Sequence, residues 1–112
     1  MLDCFEIQFD YNVLETATRI DERNLKFCIY LNLCNASIIS MDTIWLGALR
    51  VLILFGVKIN SINTKALINA EYLDLGYTNI SIIDTSSLGA LTHLDLWGTR
   101  IDTLSTDSLV NL

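Results

Sequence analysis

The sequence predicts an α/β solenoid, in which short parallel strands form one sheet and short helical, 3-10 or irregular segments return the chain from strand to strand. Two observations lead to this prediction. Apolar residues recur every 21 residues over residues 25–112, and each repeat begins with two leucines separated by one residue. The chain has 112 residues, of which 52% are hydrophobic, so it can fill one domain with a continuous core.

The recurrence extends over four repeats without an insertion. The leucine pair stands at Leu31 and Leu33, Leu52 and Leu54, Leu73 and Leu75, and Leu94 and Leu96. Later apolar columns, also at steps of 21, are Ile38, Ile59, Ile80 and Ile101, and then Leu46, Leu67, Leu88 and Leu109. A fixed period of this length is typical of stacked repeats, because one repeat cannot bury its own apolar face and neighbouring repeats can.

The leucine pairs predict the strands. Two leucines separated by one residue point to the same side of an extended chain, and the residues that flank them point to the other side. We therefore expect parallel strands over residues 30–34, 51–55, 72–76 and 93–97. Neighbouring strands would lie about 4.8 Å apart, with all the paired leucines buried.

A polar column predicts the return segments. Asp42, Asn63, Asp84 and Ser105 stand in this column, and each precedes a threonine. Asp, Asn and Ser side chains accept backbone hydrogen bonds at helix N-termini, so each is expected to start a short helix or 3-10 turn. The last leucine of each repeat would lie on that turn.

The repeats resemble those of a known family. The phrases Leu73-Asp-Leu75-x-x-Thr78-x-Ile80 and Leu94-Asp-Leu96-x-x-Thr99-x-Ile101 look like leucine-rich repeats of a short type, with about 21 residues each. The resemblance implies a right-handed solenoid, with the parallel sheet on its concave face and the helical or irregular segments on its convex face. A three-sided parallel β-helix has coils of similar length and is the structural alternative. The family's usual buried asparagine is replaced by Ala36, Val57, Thr78 and Thr99, so its ladder of side-chain hydrogen bonds is expected to be missing.

We predict a single leucine-rich-repeat domain over residues 1–112. Residues 25–112 would form four regular repeats, and residues 1–24 a degenerate repeat that caps the N-terminal end, with Ile7 standing where Leu31 stands. No distinct polar capping segment follows the last repeat, so its strand edge and apolar cross-section are expected to meet another molecule. A homodimer through the C-terminal end is the symmetric solution.

The composition argues against several kinds of partner. The chain has 13 acidic residues and 7 Lys or Arg, a net charge of −6, so it lacks the clustered positive charge that binds nucleic acid. The most apolar window, residues 44–57, contains Arg50 and is shorter than the roughly 20 residues that cross a bilayer. The acidic start lacks the features of a signal peptide, so we expect a soluble, intracellular protein with reduced cysteines.

Residues that carry chemistry are sparse. His93 is the only histidine of the sequence and shares a predicted face with Asp74 and Asp95, but no Cys or Ser nucleophile stands beside them. A solvated polar patch is the simpler interpretation. The spacing of Cys28 and Cys34 fits no zinc site, and the five glycines form no phosphate-binding loop. We therefore expect no enzymatic activity, no metal and no cofactor.

The outward-facing strand positions carry the functional prediction. A merely solvated face would show Lys, Glu, Ser and Thr, whereas the middle repeat is apolar on both faces and aromatic residues stand on either side. Contiguous exposed apolar surface with aromatic residues usually marks an interaction site. The residues predicted to bind a protein or peptide on the concave face are Tyr30, Val51, Ile53, Phe55, Tyr72, Asp74, His93, Asp95 and Trp97. The two acidic residues would add a preference for a basic group.

The alternative function is a structural or assembly role. In that case the chain associates with itself, either through the same apolar patch or through the open C-terminal edge.

Overall fold

Five short parallel strands form a single sheet in the computed structural model, which describes residues 7–8, 26–38, 41 and 43–112. The strands are β1 (Ile7–Gln8), β2 (Tyr30–Asn32), β3 (Val51–Ile53), β4 (Tyr72–Asp74) and β5 (His93–Asp95). Their order in the sheet is the order in the chain, so each repeat adds one strand beside the last. This sequential parallel sheet, with few helical residues, is that of a solenoid-type fold, as the periodicity predicted.

The register follows the 21-residue period. Leu31 pairs with Leu52, Leu52 with Leu73, and Leu73 with Leu94, so equivalent residues of neighbouring repeats lie side by side. In β1, Ile7 pairs with Leu31. The remainder of the predicted capping repeat, residues 1–24, lies outside the described residues, and so does Asp42.

The strands are shorter than predicted, at three residues rather than five for β2 to β5. The reason is a turn that begins directly after each leucine pair. The N–H of Ala36 donates to the carbonyl of Leu33, and that of Val57 to the carbonyl of Leu54, which closes a tight turn in each repeat. Hydrogen bonds between repeats nevertheless continue through this turn, as from the Asn35 N–H to the Phe55 carbonyl at 2.8 Å.

The second residue of the turn has a positive φ in every repeat. This column holds Asn35 (φ 60°), Gly56 (76°), Tyr77 (57°) and Gly98 (75°). Glycine adopts this left-handed conformation at no steric cost and asparagine tolerates it, whereas it is unfavourable for a bulky side chain. Tyr77 is therefore the one strained member of the column.

The core consists of the predicted apolar columns. The leucine pairs of β2, β3 and β4 are fully buried, together with the first three members of the isoleucine column and of the last-leucine column, whereas Ile101 is half-buried and Leu109 is 7% exposed. Leu94 and Leu96 differ from the prediction, because they are only half-buried. The difference arises because β5 has a neighbouring strand on one side only within this chain.

The return segments are single turns rather than helices. Among the described residues only Thr43–Trp45 forms a 3-10 helix, and the equivalent segments make one turn each, as from the Leu67 N–H to the Thr64 carbonyl. The predicted caps are present in two repeats, where the Oδ1 atoms of Asn63 and Asp84 accept backbone N–H groups. The hydrogen bonds from the backbone and side chain of Ser86 hold the pKa of Asp84 below its usual value of 3.8.

A buried threonine ladder links the repeats on the side opposite the sheet. Thr43, Thr64 and Thr85 are at most 4% exposed, and each hydroxyl donates to a carbonyl of the next repeat. The acceptor of Thr64 is the carbonyl of Asp84 at 2.5 Å. Thr78, by contrast, bonds to a carbonyl of its own turn. The threonine that follows each expected helix start therefore links its repeat to the next one, a role that the sequence did not predict.

Candidate binding face

The predicted binding residues occupy the face of the sheet that points away from the core. We call this the outward face. It consists of three columns, with Tyr30, Val51, Tyr72 and His93 in the first, Asn32, Ile53, Asp74 and Asp95 in the second, and Cys34, Phe55, Gly76 and Trp97 in the third. In β2 and β3 the central leucine is buried and both flanking residues are half-buried, which confirms the alternation on which the prediction was based.

The first part of the outward face is apolar. Val51, Ile53 and Phe55 come from one repeat, and Tyr30 and Tyr72 lie beside Val51 on the neighbouring strands. Most of these side chains are half-buried, because side chains of adjacent strands cover one another. Tyr72 is the exception and is 36% exposed. They therefore form a packed, low surface rather than isolated protrusions.

Three aromatic rings form a contiguous group at one edge of this face. We call Phe55, Tyr77 and Trp97 the aromatic cluster. The rings of Phe55 and Tyr77 meet edge to face with centroids 5.2 Å apart, and the Nε1–H of Trp97 donates to the Tyr77 hydroxyl at 2.8 Å. Tyr77 is 46% exposed and Trp97 is 72% exposed. The cluster thus presents a large aromatic surface to solvent.

Two glycines make room for these rings. A Cβ atom on Gly98 would lie 2.7 Å from Cδ1 of Tyr77, and one on Gly76 would lie 3.0 Å from Cδ2 of Phe55. Each ring therefore rests on the backbone of the following repeat. Tyr77 was absent from the predicted site, since its ring reaches this face only because of its left-handed backbone and the open space at Gly98.

The polar part of the outward face begins at β4. The Oδ1 atoms of Asp74 and Asp95 accept the N–H groups of Gly76 and Trp97, at 2.8 and 2.9 Å, and Asn32 makes the same bond to Cys34. These carboxylates therefore hold the turns as well as charge the surface. Burial raises the pKa of Asp74 above 3.8, the Gly76 N–H opposes that shift, and the charge of Asp95 adds to it.

His93 does not complete an acid–base site. Its ring stacks on Tyr72 with centroids 5.4 Å apart, and its Nδ1 atom lies 3.0 Å from the Thr92 hydroxyl. No group of three or more His, Cys, Asp or Glu side chains among the described residues has the arrangement of a metal site. Cys28 is a buried core residue whose thiol donates to the Tyr30 carbonyl, and Cys34 is half-buried at the turn after β2.

An open groove of about 660 Å³ runs beside the aromatic cluster. It is lined by Phe55, Tyr77, Cys34, Asn35, Ala36, Ser37, Gly56 and Lys58. Lys58 is exposed and is the only charged side chain of this groove. A second open groove, of about 700 Å³, lies along β5 and includes His93, Trp97 and Leu112.

Comparison with known proteins shows a likeness in fold. No family model matches this sequence, and no curated protein matches it. Solved structures do match, among them the functional domain of InlJ from Listeria monocytogenes, a leucine-rich-repeat protein whose domain includes a cysteine ladder. The TM-score is 0.79 at 18% identity, over 94% of this chain and 26% of that one. This chain thus spans about a quarter of the InlJ chain, and the likeness concerns the fold alone.

The ladder of this chain is not a cysteine ladder like the one named for the InlJ domain. In the described part of this chain, the columns of Cys28 and Cys34 contain no further cysteine at steps of 21, and the buried ladder is made of threonines. No helix among the described residues is long and apolar enough to cross a membrane.

Proposed function

We propose that this chain is a non-enzymatic module that binds a protein or peptide on the concave face of a leucine-rich-repeat solenoid, which is the outward face of the sheet. The observation that carries the proposal is the packed apolar surface of Val51, Ile53 and Phe55, continued by aromatic side chains on both sides. A sheet face that only meets water gains nothing from such residues, whereas buried aromatic and aliphatic groups supply most of the energy of protein interfaces.

The charge on the same face suggests which partners it accepts. Asp74 and Asp95 pair in register on adjacent strands, and the whole chain carries a net charge of −6. A basic group placed between the two carboxylates would relieve their mutual repulsion, so a cationic partner is favoured over an anionic one. His93, stacked on Tyr72, extends this polar end of the surface.

A matched pair of substitutions tests the proposal. Phe55→Asp places a charge in the apolar surface, and Ile82→Asp makes the same kind of change at a residue that is 81% exposed in a return segment. Peptides selected from a displayed library against the unmodified chain should lose about tenfold or more in affinity for Phe55→Asp and keep their affinity for Ile82→Asp. Selected peptides that are indifferent to Phe55→Asp would show that this face is not the binding surface.

Self-association is the second candidate, and it rests on a different observation. At the far side of β5, Leu94 and Leu96 are half-buried, while Val110 is 78% exposed and Leu112 is 56% exposed. A twofold dimer through this end would bury these residues and pair both exposed strand edges.

The dimer proposal is tested by mass and by hydrogen exchange. A dimer of the 112-residue chain should persist in dilute solution. In that dimer, the backbone amides of residues 93–97 should be protected from hydrogen exchange to the same degree as those of residues 73–75. A monomer in which both segments are equally protected would contradict the dimer proposal.

A further inference from the structure

We infer that the aromatic cluster binds a proline-rich segment in the polyproline II conformation, with a basic residue at the end of the segment that lies over β5. This inference rests on the proposed function and names the class of partner. Three independent features of the described residues support it, namely the strained backbone of Tyr77, the arrangement of the rings and the distribution of charge around them.

The backbone of Tyr77 points to a use for its ring. Equivalent positions in the other repeats hold Asn35, Gly56 and Gly98, which adopt a positive φ easily, whereas Tyr77 adopts φ 57° at a steric cost. Strained residues of this kind cluster at functional sites. The ring is also 46% exposed, so burial in the core does not compensate for the strain.

The cluster has the groups that recognise a polyproline helix. Such a helix docks its rings on aromatic side chains, and its carbonyl groups are free because it has no internal hydrogen bonds. The Tyr77 hydroxyl accepts the Nε1–H of Trp97 at 2.8 Å, which leaves its own proton to donate to a carbonyl of the ligand. The hydrogen bond that the hydroxyl accepts polarises its O–H group, so the hydroxyl donates a stronger hydrogen bond to the ligand.

The spacing of the repeats matches the period of the helix. Neighbouring strands lie about 4.8 Å apart, so Phe55 and Trp97, two repeats apart in one column, are separated by about 9.6 Å along the solenoid. One turn of polyproline II has three residues and advances about 9.3 Å. Residues i and i+3 of a segment that runs across the strands would therefore contact Phe55 and Trp97, with Tyr77 between them.

The charges determine the direction of the segment. Asp74 and Asp95 flank the cluster on the β4 and β5 side, and each uses Oδ1 to hold a turn, which leaves Oδ2 for a cation. Lys58 lines the groove at the Phe55 end, and Arg100 occupies the equivalent position in the repeat of Trp97, so these two cations favour neither direction and the two carboxylates decide it. An arginine or lysine of the ligand is therefore favoured next to Trp97 and Asp95.

The test uses a peptide of about seven residues, proline throughout except for one terminal arginine, which covers two turns of the helix. The control peptide keeps the arginine and replaces the prolines by glycine and serine. Binding is followed by the fluorescence of Trp97 in a Trp45→Phe background, because Trp45 lies on the return side and is the other tryptophan. The proline peptide should bind at least about tenfold more tightly than the control peptide.

Variants of the cluster separate its contributions. Tyr77→Gly removes the ring and suits the left-handed backbone, so the fold should be retained while affinity falls about tenfold or more. Tyr77→Phe keeps the ring and removes the hydroxyl, which is both the donor to the ligand and the acceptor of the Trp97 Nε1–H, so a loss of about threefold to tenfold is expected. Asp95→Asn keeps the acceptor for the Trp97 N–H and removes the charge, so it should weaken binding of the arginine-terminated proline peptide and leave binding of an all-proline peptide unchanged. If circular dichroism shows Tyr77→Gly to be unfolded, Tyr77→Asn provides the same comparison, because Asn35 adopts the same left-handed conformation in its own repeat.

The outcomes distinguish this inference from the proposed function. Proline and control peptides that bind equally, or a proline peptide that binds Tyr77→Gly as well as the unmodified chain, would overturn the inference. So would the absence of binding up to about 1 mM peptide. If library-selected peptides still lose affinity for Phe55→Asp in that case, the proposed function stands and only the class of ligand is wrong.

Discussion

Removing one hydroxyl from the threonine ladder should destabilise the fold more than its size suggests. Thr64 is 2% exposed, and its hydroxyl donates to the Asp84 carbonyl of the next repeat at 2.5 Å. Thr64→Val keeps the shape of the side chain and replaces the hydroxyl with a methyl group. Since no backbone N–H among the described residues donates to that carbonyl, the substitution leaves it without a protein partner.

The expected cost follows from that loss. A fully buried polar group left unsatisfied costs about 1–3 kcal/mol, and the bond to Asp84 is only partly buried, so the free energy of unfolding should fall by about 1–2 kcal/mol. Thr78→Val is the matched control, because Thr78 is also 2% exposed but donates to the Leu75 carbonyl. That carbonyl already accepts the backbone N–H of Thr78 at 3.2 Å, so the control should cost about 0.5–1 kcal/mol.

Urea unfolding of both variants, followed by circular dichroism, measures the difference. Hydrogen exchange adds a second measurement, because stability in a solenoid is shared between adjacent repeats. Thr64→Val should increase amide hydrogen exchange in both repeats that the lost hydrogen bond joined, whereas Thr78→Val should increase exchange only in its own turn. Equal costs for the two substitutions would show that the ladder bond contributes no more than a local one.

Three further substitutions test other parts of the structure. Leu73→Ala removes a fully buried side chain and should cost about 2–5 kcal/mol, and Leu94→Ala should cost less because Leu94 is half-buried; urea unfolding compares them. Phe55→Asp should unfold at nearly the same urea concentration as the unmodified chain, since Phe55 packs on Tyr77 outside the core; unfolding would show that Phe55 faces inward. Asp74→Asn should stabilise the chain at pH 7 and lose that advantage below pH 3.8, because the folded state raises the pKa of Asp74 and disfavours its charged form. A stability difference that does not change with pH would contradict this explanation.

Most of the core could be predicted from the sequence. The alternation of Leu31 with its neighbours determines which side chains share a face, because successive residues of a strand point to opposite sides. The 21-residue period then places Leu31, Leu52 and Leu73 side by side, which is the register that the structure has. The partial exposure of Leu94 was not predicted, because burial depends on which repeats are stacked on a strand and not on the repeat itself.

The candidate face could be predicted only in part. The side-chain direction of Val51 and Ile53 follows from strand alternation and needs no tertiary information. Alternation does not apply to Tyr77, which lies in the turn after the strand, where a positive φ carries its ring over Gly98. The sequence shows that tyrosine stands at this position and that the repeats before and after have glycine there, but it does not show where the tyrosine ring lies.

The sequence by itself determined which residues are equivalent, since period and alternation are properties of the chain alone. Only the tertiary structure decided what the equivalent residues do to one another. Thr64 meets Asp84, and Tyr77 meets both Phe55 and Trp97, across separations of about 20 residues. Stacking brings these groups together, and the backbone angles of each turn then decide whether a given polar or aromatic group bonds within its own repeat, as Thr78 does, or with the next.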